Sequence, residues 1–172
     1  MANLDAPIGF WPVRHLSGGE IRSNQYVLTT GQIVYKGDLL KAVAGGTVQA
    51  SATNDGIIVV GVAAEYKDGT VAGTKGNVFD DPNIVFGVQM DDVGIVSTAA
   101  DVFNTANHLD PTGDTTTKVS KHELDMSDID TGAQLKILGL CMVRDSNNDW
   151  GTNCDVEVLL NEHLYSAAVA KV

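Results

Sequence analysis

The sequence predicts a mainly β protein, a compact β-barrel or sandwich body with one short helix and an extended N-terminal arm. Three observations carry this. Valine, isoleucine and threonine number 21, 9 and 14 among 172 residues, and such β-branched side chains suit a pleated sheet. They fall in short runs separated by Gly, Asn and Asp, the punctuation of turns. The first 25 residues differ, because Pro7, Gly9, Pro12, Gly18 and Gly19 interrupt any period and push the preceding residues toward extended backbone. A chain of this length is expected to form one domain, here a body over 26–172 with an arm over 1–25 that reaches about 80 Å when fully stretched.

From Tyr26 the elements follow in order. Tyr26–Thr30 and Gln32–Tyr35 read as two short strands around Gly31. Asp38–Val43 is a third, and Ala44-Gly45-Gly46 turns it back into Thr47–Ala50, the glycines supplying the positive φ of a tight hairpin. Asn54-Asp55-Gly56 is the strongest turn, releasing the apolar run Ile57–Ala64, a strand buried on both faces. After a turn at Lys67-Asp68-Gly69, Ile84–Met90 and Val93–Thr98 form a pair around Asp91-Asp92. Thr98 with Asp101 makes a capping box, and Ala99, Val102, Phe103 and Ala106 share one helical face, so a helix is expected to end near Asn107–Leu109. Thr112–Thr117 is loop and Val119–Leu124 a strand. The chain closes with Leu135–Arg144, a type I′ turn at Asn147-Asn148, and Cys154–Leu160 with Asp155 and Glu157 outward and Val156, Val158 and Leu160 inward. That register sets Cys141 opposite Cys154, expected as two buried thiols packed as small hydrophobes rather than a disulfide.

Charge and composition exclude several functions. The formal net charge is −11, from 17 Asp and 5 Glu against 11 basic residues, and no basic cluster tracks a phosphate backbone. Nucleic acid is not an expected partner. The longest apolar stretch is far short of the roughly 18 residues that span a bilayer, and the N-terminus lacks the basic and apolar regions of a signal peptide. No membrane is expected, and synthesis in a cytoplasm is. Two cysteines cannot build a disulfide framework or a four-thiolate zinc site.

Motifs for catalysis or cofactors are incomplete. Asp145-Ser-Asn147-Asn-Asp149 opens like a calcium loop, but Trp150 and Val156 stand where Gly and a bidentate Glu belong. Asp125, Asp128 and Asp130 read as a charged loop. His122-Glu123 begins like a zinc-protease motif, and Met126 occupies the second histidine's place. Nucleophile-elbow, phosphate-loop and dinucleotide signatures are absent. No enzyme, cofactor or metal is expected; a pocket with convergent titratable groups, His122, Glu123 and Asp125 being the neighbours in sequence, would reopen the question.

The unusual feature is Phe10-Trp11, two large aromatics in a segment without its own core. They either fold back on their own body or dock on a neighbouring subunit, with Pro12, Arg14 and His15 completing the contact and Arg14 supplying a charged rim.

Several blocks in order resemble a known family. Asp5-Ala-Pro7-x-Gly9-x-x-Pro12-Val13-Arg14-His15 precedes Ser17-Gly18-Gly19, and Gly61-Val62 precedes Glu65-Tyr66. Asp80-Asp-Pro82-Asn-x-Val85-Phe86-x-Val88-Gln89 follows, then Leu124-Asp125 with Ser127 and Ile129, Leu135-Lys-Ile137-Leu138-Gly-Leu140, and Val158-x-x-Asn161-x-His163. Together they resemble the head decoration, or cement, proteins of tailed bacteriophages. The resemblance implies a structural virion protein, commonly a homotrimer. Such a protein binds the outer surface of the capsid and stabilises contacts between major capsid protein subunits, with its arm reaching over the shell. The alternatives are another virion component, such as a tail or head-fibre base protein, or a ligand-binding or enzymatic β-barrel.

Overall fold

The computed structural model describes residues 3–53, 58–92, 94–132 and 134–166. The β-branched runs become strands: β1 Trp11–His15, β2 Asn24–Val27, β3 Gln32–Val34, β4 Leu39–Val43, β5 Thr47–Ala50, β6 Val59–Ala63 and β7 Lys67–Gly69. They continue as β8 Lys75–Phe79, β9 Ile84–Gln89, β10 Thr105–Ala106, β11 His108–Leu109, β12 Glu123–Leu124, β13 Leu135–Leu140 and β14 Asp155–Leu160. The protein is mainly β. Two five-stranded sheets dominate, in the orders β1-β9-β14-β13-β10 and β2-β8-β6-β4-β5, with small pairs β3-β7 and β11-β12. All named pairs are antiparallel.

Two apolar clusters follow from strand alternation. Ile84, Phe86 and Val88 of β9, Ile137 of β13 and Val156 and Val158 of β14 meet Leu39, Val59 and Val62 from the second sheet. Leu40, Val60 and Ala63, on the other face of that sheet, pack with Leu28, Val34, Val48 and Val78. β6 is therefore buried on both faces along its whole length, as its unbroken apolar run demands. The expected β4–β5 hairpin is present, with Gly45 and Gly46 at φ 96° and 77°.

Several expectations need correction. The capping box forms, Thr98 N–H donating to Asp101 Oδ2 at 2.7 Å, yet it starts only a 3-10 turn over Ala99–Asp101. Val102 is extended and Phe103 left-handed, φ 73°, and Thr105–Ala106 is taken as β10 by β13. Sheet pairing outcompetes a short helix whose nucleation is costly. Residues 94–98 are not a strand, and β12 is only the last two residues of the predicted Val119–Leu124. The Asn54-Asp55-Gly56 turn, Ile57 and Val93 lie outside the described residues.

In the closing hairpin, Ile137 opposes Val158 as expected, but a bulge at Leu138 sets Gly139 opposite Glu157 and Leu140 opposite Val156. Beyond it the register slips by one, so Cys141 sits by Asp155 and not Cys154. Both cysteines are free and buried. Asn147-Asn148 is no tight turn: Asn148 is buried and donates to the Cys141 and Asp155 carbonyls. Asp155 keeps the face opposite the core residues Val156 and Val158 but is buried there beneath the N-terminal segment, its carboxylate gripped by Arg144 at 2.6 and 2.8 Å. Asp125 is likewise buried, accepting from Ser127 N–H at the head of a second 3-10 turn over Met126–Asp128, rather than lying in a solvated loop.

Candidate functional site: the N-terminal segment and its clamp

The arm does not stand away from the body. Gly9, at φ 70°, takes a conformation that glycine adopts without penalty, and the chain then enters the sheet. Phe10 is 2 % exposed inside the main core, and its N–H donates to Gly37 C=O at 2.9 Å. β1 runs along β9, pairing Trp11 with Gly87 and Pro12 with Phe86 before a bulge, then Arg14 with Val85 and His15 with Ile84. A proline fits here because β1 is an edge strand and its missing N–H costs no ladder bond.

The five candidate residues separate by direction. Phe10 points inward and is a core residue, which closes it to any partner. The Trp11 ring lies flat on Gly87, where a Cβ would come within 2.2 Å of Cε2. The Arg144 guanidinium sits 5.0 Å from the ring centroid, a cation–π distance. Arg14, half exposed, reaches Glu157 at 2.7 Å. His15 bonds Asp81 through Nε2 at 3.1 Å and Ser17 Oγ through Nδ1 at 2.8 Å. Backbone donation from Asn83 holds the Asp81 carboxyl below the usual range, with His15 assisting.

Residues 3–8 are held differently, by side chains rather than a ladder. Gln89, buried at the end of β9, donates to Leu4 C=O and accepts from Ala6 N–H, both at 2.9 Å. Its amide thus imitates a strand partner. Arg144 donates to Ala6 C=O at 2.8 Å, and Asn3 Nδ2 donates to the Asp149 and Thr152 carbonyls at 2.8 and 3.0 Å. A cavity of about 390 Å³ opens beside them, lined by Leu4, Ile8, Gln89, Arg144, Asn153 and Asp155. Meanwhile Leu4, Ile8 and Leu16 are 77, 37 and 51 % exposed. Apolar side chains therefore face solvent from a segment already pinned in an extended shape. Sequence reasoning missed Gln89, Arg144 and Asn3; the readable signal was a glutamine inside the apolar run Ile84–Met90.

A second cleft, about 170 Å³, includes Tyr35, Asp38, Asp110 and His122. His122 Nε2 lies 3.4 Å from Asp38 Oδ1, and its Nδ1 accepts from Leu39 N–H at 3.2 Å. Burial pushes Asp38 up to about 6 and His122 down to about 3, so near neutrality the pair is carboxylate and neutral imidazole. Both ring nitrogens are committed inside the protein, which leaves His122 no free nitrogen to take a substrate proton. Glu123 opens β12 and His122 directly precedes it, so neither lies on a helix. No group of three or more His, Cys, Asp or Glu among the described residues is placed to hold a metal ion. Burial also raises both thiols, the reverse of an activated nucleophile.

No protein-family model, no curated protein and no solved structure matches the chain.

Proposed function

We propose that the protein is a structural component of a bacteriophage virion, a head decoration protein that attaches to the outer surface of the capsid, bridges major capsid protein subunits and acts as a homotrimer. The observation that carries the reading is the N-terminal segment, laid extended along the outside of a β body with Leu4, Ile8 and Leu16 turned to solvent. A segment already ordered before docking loses little entropy on binding, and uncovered aliphatic side chains suit a protein surface. The ordered blocks of sequence resembling cement proteins give the reading its virion setting. A net charge of −11 suits a surface facing away from packaged DNA, and three-fold attachment multiplies weak contacts by avidity.

The test is co-sedimentation of purified protein with heads that lack it. Saturation at a fixed ratio to the major capsid protein, with a raised melting temperature of the heads, is the expected result. A folded protein that leaves heads unbound removes the reading and moves the search to tail components.

A further inference from the structure

The first sheet ends at β13 on an edge that is covered for only half its length. β10 pairs with Leu135 and Lys136, and Ile137 extends the cover by donating to Asn104 C=O and accepting from Phe103 N–H. There the covering chain turns away through the left-handed Phe103, a conformation that disfavours any residue with a Cβ. β13 runs on to Leu140, and among the described residues no strand pairs with its outer side past Ile137. Ile137 is bonded outward, whereas Cys141 donates inward to Asp155 C=O. The bulge at Leu138 shifts the alternation by one, so Leu140 again turns its N–H and C=O to the open side. A Cβ built on Gly139 meets nothing within 4 Å.

This open stretch has apolar company. Phe103 is 71 % exposed, Met142 49 % and Val143 65 %. Exposed Ile95 and Val96 are held at the same end by Ser97, whose Oγ bonds Gly151 C=O at 2.7 Å and Cys154 Sγ at 3.0 Å. In sequence, Asp101 and Asp145 stand two residues from Phe103 and Val143, Lys136 lies on the covered half of the strand, and the guanidinium of Arg144 is already occupied by Asp155 and Ala6 C=O. An unpaired strand edge and exposed apolar side chains therefore coincide on a protein of net charge −11.

We propose that the open half of β13 accepts an extended apolar strand bearing lysine or arginine side chains, contributed by the capsid subunit to which the protein attaches. The inference rests on the decoration reading and names the contact surface. Main-chain bonds to Leu140 would supply affinity, and side chains alternating onto Phe103, Met142 and Val143 would supply specificity. A second copy of this chain is a poor occupant, because it brings the same net charge of −11.

Head binding is measured for the wild type, Phe103→Asp and Val143→Asp, with hydrogen exchange of the 138–143 segment followed in free and head-bound protein. Both substituted residues are exposed, so unchanged melting temperatures verify folding. The inference expects at least tenfold weaker binding for each variant, at least tenfold slower exchange over 138–143 in bound wild type, and weaker binding in higher salt. Wild type that binds while both variants bind equally, or while 138–143 exchanges as fast as in free protein, overturns it and leaves the decoration reading intact. Protection that appears in free protein with concentration and disappears on dilution assigns the edge to a second copy and also overturns it. No wild-type binding removes the decoration reading and this occupant together.

Discussion

Residues 10–15 and residues 3–8 are neighbours in sequence and are attached to the same body by different physics. The later stretch has a buried aromatic, a strand ladder and an indole laid on Gly87. The earlier one has five side-chain hydrogen bonds through Gln89, Arg144 and Asn3, and its own apolar groups face water. Burial is proportional to apolar area removed from water, whereas each net hydrogen bond contributes only about 1 kcal/mol. The difference divides the segment into a part that belongs to the fold and a part that the fold presents. Cutting the arm at residue 25 would remove β1 and Phe10 and damage the body; cutting after residue 8 separates the two roles.

The largest test of this division is Phe10→Ala, expected to cost about 3–5 kcal/mol in chemical denaturation; a loss under about 1 kcal/mol would return Phe10 to the presented part. Arg144→Ala comes next, at about 2–4 kcal/mol, because it leaves the Asp155 carboxylate buried without its partner. It also frees Ala6, so amide exchange over residues 3–8 should accelerate more than over β1. Gly87→Ala drives a methyl into the Trp11 indole and is expected to cost about 1–3 kcal/mol, with a red-shifted tryptophan emission as the ring leaves its seat; unchanged emission would refute the stacking. Asn3→Ala should cost only about 1 kcal/mol and leave the tryptophan signal unmoved, sharpening the contrast.

The smallest effect is one of pH. Glu123, in β12, is pushed from 4.5 up to about 7 by burial, with Asp5 of the arm and Asp91 adding repulsion. A raised carboxyl favours the protonated form in the folded state, so its penalty is absent below about pH 4.5. The penalty grows as the pH rises toward 7 and is constant above. Exchange protection of residues 3–8, corrected for intrinsic rates, should decline between pH 5 and 7, and Glu123→Gln should flatten the decline. Equal slopes in both proteins would detach Glu123 from the arm.

Much of the body was legible residue by residue. β6 and β9 were written as apolar runs, and β4–β5 as a strand, two glycines and a strand. The inward set Val156, Val158 and Leu160 was readable from alternation. The candidate site was less legible. The capping box at Thr98 was correct in its hydrogen bonds and misleading in its sequel, because β13 captured residues 105–106. The hairpin register was correct from Leu135 to Ile137 and lost at Leu138, since a bulge has no signature of its own in the sequence. Arg144 gave no sign that it would hold both Asp155 and the arm.

By itself the sequence determined the β class, the turn-punctuated strands, the acidic surface and the presence of an aromatic pair in a segment that cannot bury it alone. These are consequences of side-chain shape, period and charge, which are properties of near neighbours. Only the tertiary structure decided which aromatic is core, which end of the arm is presented and where the sheet edge stays open. Those outcomes depend on groups far apart in the chain: Phe10 needs Leu39 and Ile84, Leu4 and Ala6 need Gln89, and the β13 edge opens where Phe103 leaves it. Their free energies exist only once the fold has brought the partners together.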